Sequence, residues 1–270
     1  MPLARIAHEG GVSYAEVGAG GYTLLAPGRG TPWPDGRREE LGFVPASCAR
    51  LLAPVSPRTL VGMAHNTGPA DRGLPPQAFL KPVTTITGSG TPIPVPADAG
   101  LVEAEAELAV IIGHTARRLT IADALSHVLG FTVANDVTSR DLQRSDPLWF
   151  AAKGHDGWTP LGPWLVTPAE LDQQGLDVDE LEIQLSVDGV PGPPANTSVL
   201  ARSIIECLVY VTGVLTLHPG DVVLTGAPGG GAPIRPGCQV TAAVLGIGDL
   251  QNPVVDACCA PAGEDEEPVA

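Results

Sequence analysis

Three glutamates at every second position, Glu103, Glu105 and Glu107 in the stretch LVEAEAELAVIIG, are the first residues that suggest chemistry. Glu and Ala favour helix, and a helix would stack Glu103 and Glu107 one turn apart as a like-charge pair. The β-branched AVIIG run that follows favours a strand instead. On a strand the three carboxylates share one face, about 7 Å apart, and each neighbouring pair repels by roughly 2 kcal/mol at an effective dielectric near 20. A partly buried face tolerates this in one of three ways: a carboxylate turns to solvent, one is protonated, or a cation binds. With no His or Cys nearby, oxygen-only donors select a hard cation such as Mg²⁺, Mn²⁺ or Ca²⁺.

Two further segments carry candidate groups. In NDVTSRDLQ, Asp136 stands where the apolar run FTVAN meets a helix start, so its carboxylate either caps that helix or faces outward as a ligand. Joined to two glutamates of a neighbouring strand it would complete a three-carboxylate site. Arg140 and Gln143, one helical turn apart, are placed to face the same cleft. In KGHDGWTPLGP, Lys153 leads a Gly/Pro-rich stretch expected to be irregular, with His155 two residues on. Of 15 basic residues 13 are Arg, and the two lysines are Lys81 and Lys153. Genome composition explains the bias most simply, yet Arg cannot replace a lysine that must deprotonate or act as a compact point charge.

Positioning these groups requires the following elements. Residues 1–57 alternate short apolar runs with glycine (VSYAEVG, GYTLLAPG, LGFVPAS), which predicts a small β-rich N-terminal domain ending at Pro54–Pro57. Residues 58–100 are rich in Pro and Gly and read as a long irregular segment of the kind that covers an active site. Thr120 with Asp123 predicts a helix running to Leu129 and stopped by Gly130; FTVAN then reads as a buried strand. Thr138 with Asp141 predicts a short helix, and Ser203 with Glu206 a longer one to about Leu215. DVVLTG, QVTAAVLG and NPVVDA read as closing strands. The tail from 259 to 270, with four consecutive acidic residues, reads as disordered.

Composition narrows the function classes. With 44% hydrophobic residues over 270 positions the chain supports a sizeable core. A net charge of −15, of which the tail supplies four, argues against nucleic acid or an anionic membrane surface as partner. The most apolar stretch, Ile204 to Leu217, is too short to span a bilayer, and no targeting segment is evident. Five cysteines without CxxC spacing suggest buried, reduced thiols, Cys258 and Cys259 included, in a cytoplasmic protein.

Taken in order, AFLKP, EAEL followed by an apolar run and Gly, ANDVTSRDLQ, the Lys153 segment ending in PLGP, LHPGDVVLTGAP and GIGDLQNPV resemble the fumarylacetoacetate hydrolase superfamily over roughly residues 55 to 255. The resemblance implies an α+β fold: a small β-rich N-terminal domain, and a catalytic domain over 58–258 built from a rolled mixed β-sheet, usually as a homodimer. It implies a divalent metal, commonly Mg²⁺, with Mn²⁺ or Ca²⁺ as options, held by Glu105, Glu107 and Asp136, leaving Glu103 outside. Lys153 would lie beside metal and substrate, where it stabilises an enolate or transfers a proton. Arg140, Gln143, Thr225 and Gly226 would line the pocket, Arg140 pairing with a substrate carboxylate. Lys81 would be structural or at the pocket edge. Trp149, Trp158 and Trp164 are expected to pack the lysine segment rather than to meet substrate.

Members of that superfamily act on 2-oxo acids and β-dicarbonyl compounds by C–C bond hydrolysis, decarboxylation or keto–enol isomerisation, hence as hydrolase, lyase or isomerase. This chain departs from the pattern at GMAHNTGPAD, where the usual His position is Gly68 and the usual Glu position is Asp71. His65 and His155 are the candidate replacements, beside Asp71 as an acid/base candidate. The departure places decarboxylation and isomerisation level with hydrolysis. Alternatives are a pathway enzyme that hydrates or cyclises a larger substrate on the same metal site, and a metal-binding homologue without catalysis.

Overall fold

The computed structural model describes residues 1–28, 33 and 39–259; the acidic tail lies outside the described residues. The architecture is α+β, two mixed sheets with a few helices. The larger sheet runs in the order Glu40–Pro45, Gly21–Leu25, Gly11–Gly18, Leu3–His8, Thr159–Val166, Val128–Asn135, Val102–Ile112, Val222–Leu224, Leu60–Ala64, Gln77–Lys81. The smaller contains Val190–Pro191, Glu182–Val187, Gln239–Val244, Gly248–Asp256 and Ile93–Val95. Most pairings are antiparallel, but Val222–Leu224 runs parallel to Leu60–Ala64, and Gly248–Asp256 parallel to Ile93–Val95. No helix among the described residues is long and apolar enough to cross a membrane.

The strand Val102–Ile112 organises the molecule. Its even-numbered residues from 106 onward (Ala106, Leu108, Val110, Ile112) enter one core cluster, and Ala109 and Ile111 enter another on the opposite face. Side-chain alternation along a strand therefore places Glu103, Glu105 and Glu107 on the face that is apolar further along. The same sheet face changes from greasy to acidic within four residues, and the site begins at that change. The 204–214 helix seals the first cluster with Ile204, Cys207, Leu208 and Val211. A full capping box between Ser203 and Glu206 starts it, as the sequence predicts.

Elsewhere the fold corrects the sequence reading. The segment after Thr120 forms a turn and a short 3₁₀ helix, Ala124–His127, and Gly130 lies inside the strand Val128–Asn135. Pairing on both sides, with 102–112 and 159–166, outweighs the local capping signal. Residues 58–100 are not irregular throughout: LVGMA and QAFLK form an antiparallel pair, Leu60 opposite Lys81. The Pro and Gly residues fall mainly in the connection between them and in the stretch after Lys81. Lys153 does not lead a loop; it ends the short helix Phe150–Lys153, and TPLGP lies within Thr159–Val166. Proline is tolerated there because the register slips opposite Thr132, whose hydroxyl donates to the carbonyls of Gly162 and Trp164 on either side of Pro163. The helix Arg140–Ser145 is capped by Ser139, not Thr138. Cys207 and Cys238 are buried, whereas Cys48, Cys258 and Cys259 are exposed, the last two in the short 3₁₀ turn Ala257–Cys259.

Candidate functional site

Glu105 and Glu107 reach the site from the strand 102–112, and Asp136 from the residue after the strand 128–135. The Asp136 amide donates to the Glu105 carbonyl at 2.9 Å, so the third carboxylate is fixed by the same ladder that aligns the first two. One oxygen from each of Glu105, Glu107 and Asp136 lies within 4.8 Å of the others, and all three residues are buried. They form the floor of a cavity of about 190 Å³ whose walls include Met63, His65, Thr67, Asp71, Phe79, Arg140, Gln143, Trp149, Lys153 and Gly226.

Cations surround the floor. Lys153 Nζ donates to Glu105 Oε2 at 3.1 Å, to Thr138 Oγ1 at 2.7 Å and to Asp136 Oδ2, and it lies 4.9 Å from the Phe79 ring centre. Lys81 Nζ donates to Asp136 Oδ1 at 2.5 Å and to the Trp158 carbonyl at 3.0 Å. Arg140 Nη2 donates to Glu105 Oε1 at 2.6 Å. Thr138, freed from helix capping, donates to Glu105 Oε2 at 2.9 Å.

The titration of these groups follows from burial set against charge. Burial alone would raise both acids, but for Asp136 the two lysines, and for Glu105 Lys153 with Arg140, outweigh it and hold the carboxyls below their ordinary range. Among the described residues no cation forms an ion pair with Glu107. Burial first, then the charges of Asp136 and Glu105, push it well above the carboxylate range, and the Lys153 charge with one backbone bond from Gly226 at 2.7 Å only tempers this. Burial pulls Lys153 down, yet Asp136 and Glu105 together more than offset it and hold the ammonium above its ordinary range. For Lys81 burial wins and its pKa is lowered.

Gly226 supplies its N–H to Glu107 from a backbone at φ +97°, and a Cβ there would meet the Asn66 carbonyl at 2.3 Å. The position accepts no side chain, which explains the TGA turn after VVL. The neighbouring Thr225 faces away: its hydroxyl donates to the Leu108 carbonyl at 2.8 Å, and it does not line the cavity. His155 is also outside, its ring 4.3 Å from that of Trp158. His65, Asp71, Arg140 and Gln143 are brought to the cavity. The Asp71 carboxylate accepts from the Thr67 amide at 3.0 Å and hydroxyl at 2.8 Å, bonds that keep it below its ordinary range.

Lys81, expected to be structural or at the pocket edge, is buried against Asp136. Sequence reasoning misplaced two other contributors. Thr138 was assigned to a cap that Ser139 performs. Trp149 was expected to pack the lysine segment only, yet it lines the cavity. It is held at φ +59° with its ring 5.7 Å from His65 and 5.5 Å from Phe79. Trp158 and Trp164 do pack, each donating its indole N–H to a backbone carbonyl.

The acidic floor offers an oxygen-only donor set, the kind that suits a hard cation. Residues 53–255 match the family model described as fumarylacetoacetate (FAA) hydrolase C-terminal, and the chain belongs to this enzyme family. It is 39% identical over 269 residues to Protein Rv2993c of Mycobacterium tuberculosis, covering 94% of this chain and 98% of that one. It is 32% identical over 197 residues to a 2,4-didehydro-3-deoxy-L-rhamnonate hydrolase of a Sphingomonas species, covering 71% of this chain and 67% of the other. A crystal structure of 5-carboxymethyl-2-hydroxymuconate delta-isomerase from Mycobacterium smegmatis superposes with a TM-score of 0.84 at 38% identity, covering 95% of this chain and 100% of that one.

Proposed function

We propose that this protein is a divalent-cation-dependent enzyme that moves a proton between carbon and oxygen of a small 2-oxo or β-dicarbonyl acid, a keto–enol isomerisation. The observation that carries the reading is the clustering of Glu105, Glu107 and Asp136 within 4.8 Å, on the floor of the cavity that Lys153 also lines. The donor set suits a hard cation, Mg²⁺ first and Mn²⁺ or Ca²⁺ as substitutes. The buried Glu107, raised by its acidic neighbours, is the group such an ion would hold ionised. When bound, the cation supplies Lewis-acid polarisation of a carbonyl.

The chain's own residues do the rest. Lys153, held charged, is a poor base and a good fixed ammonium; it stabilises negative charge developing on the substrate oxygen. Lys81 lies outside the cavity and fixes Asp136. His65 lines the cavity from the rim and carries the proton between carbon and oxygen. Trp149 and Phe79 form an apolar wall that excludes water.

Hydrolysis needs an activated water as well. Gly68 offers no side chain for this, and Asp71 already accepts two bonds from Thr67. A second reading, C–C hydrolysis, is favoured by one observation: His65 and Asp71 line the same cavity and would replace the missing pair. The test is a screen of 2-oxo diacids and acylpyruvates with Mg²⁺ or Mn²⁺, following enol absorbance, CO₂ release and fragment formation together. Isomerisation predicts a faster approach to the keto–enol equilibrium with neither CO₂ nor fragments; fragments lost in His65→Ala would establish the second reading.

A further inference from the structure

The Arg140 guanidinium bridges two glutamates that stand two residues apart on one strand face. Its Nε donates to Glu103 Oε2 at 2.7 Å, its Nη2 to Glu105 Oε1 at 2.6 Å, and its Nη1 to Gln143 Oε1 at 2.9 Å. All three nitrogens are therefore engaged within the chain. On the adjoining strand, Gly231–Ile234, Gly231 pairs with Glu105. A Cβ at Gly231 would fall 2.5 Å from Glu103 Oε2 and 3.0 Å from Arg140 Nη2. The missing side chain leaves the space in which the Glu103–Arg140 pair lies.

We infer that Glu103, Arg140 and Gly231 form a positioning unit for Glu105; the inference rests on the reading of Glu105 as a cation ligand. An unrestrained arginine prefers to grip a carboxylate with two parallel bonds, which would tie up both Glu105 oxygens. Glu103 holds the Nε edge, so a single donor, Nη2, reaches Glu105 Oε1. Oε2 remains turned toward Lys153 and Thr138 on the floor. Glu103 also offsets the Arg140 charge, which otherwise opposes a cation. Glu103 and Gly231 are thus positioning residues that act through Arg140 and touch neither ion nor substrate.

The test is direct Mn²⁺ binding to the full chain, read by the electron paramagnetic resonance of free Mn²⁺, with the melting temperature of the metal-free protein alongside. Glu103→Ala and the isosteric Glu103→Gln are expected to weaken Mn²⁺ binding about 10- to 100-fold, the range for outer partners of metal ligands, with little change in melting temperature. Gly231→Ala should weaken it similarly with every charge intact. The double variant Glu103→Ala/Gly231→Ala should be no worse than Glu103→Ala, because the nearest atom that the new methyl strikes, Glu103 Oε2, is gone and Arg140 is free to give way. Wild-type Mn²⁺ affinity in Glu103→Gln, or losses that multiply in the double variant, would overturn the inference. Glu107→Gln separates the two levels: if it binds Mn²⁺ like the wild type, the ligand reading itself fails.

Discussion

The floor and the rim of the cavity are built in opposite ways. On the floor, Glu107, Asp136 and Lys153 are 3%, 1% and 4% exposed, and elements distant in sequence meet there, Asp136 and Lys153 through more than one bond each and Glu107 through the Gly226 amide. On the rim, Thr67 and Asp71 bond mainly to each other across four residues, above a short 3₁₀ turn over Pro69–Gly73. Displacing a floor residue strands a buried charge, while a rim residue changes at little cost to folding. On the proposed function, cation binding thus falls to the floor, and proton transfer, with the choice among reactions, to the rim.

That contrast can be broken by mutation. The largest effect is expected for Glu107→Gln or Asp136→Asn: loss of measurable Mn²⁺ binding by titration and a fall in turnover of about 10³-fold or more, following the loss of the Lewis acid. Lys153→Met should lower kcat by about 10²- to 10³-fold, as for the loss of one preorganised charge at the reacting oxygen. Its Mn²⁺ affinity should hold or tighten, since a competing cation has gone. Lys81→Met should act through stability. It removes one of the two ammonium groups paired with the buried Asp136, Lys153 being the other, and denaturant unfolding should show a loss of about 3 kcal/mol.

Rim changes should spare the ion. His65→Ala is expected to slow isomerisation about 10²-fold with unaltered Mn²⁺ affinity; a matching fall in affinity would erase the distinction between the two regions. Smallest is Ser139→Ala, which removes a cap from the helix carrying Arg140 and should cost about 1 kcal/mol in thermal unfolding.

How far the site was legible follows the same division. EAEL could be placed on a strand because β-branched residues follow it, and alternation then put the acids on one face. The helix at 204–214 was legible because its capping box precedes a run with enough tertiary partners to keep it. The box at Thr120–Asp123 has the same local signal but lies before a segment that two strands capture, so propensity lost to pairing. Residues 60–64 and 77–81 were hidden by the prolines and glycines around them, although LVGMA alone is strand-like. Ser139 displaced Thr138 as cap because the Thr138 hydroxyl is held between Lys153 and Glu105, a contact that no local pattern encodes. His155 and Thr225 lie near site residues in sequence, yet one packs on Trp158 and the other bonds the sheet. Adjacency along the chain did not become adjacency in the cavity.

The central claim is that the acidic floor and Lys153 labilise a proton next to a carbonyl when a divalent cation is present. Solvent exchange in D₂O measures this directly, by following the C3 hydrogens of a 2-oxo acid by proton NMR with the Mg²⁺-loaded protein. Accelerated loss of that signal is expected, abolished by EDTA and sharply slowed in Lys153→Met. Exchange that persists undiminished in EDTA or in Lys153→Met, or its absence for every 2-oxo acid tried with the loaded protein, would contradict it.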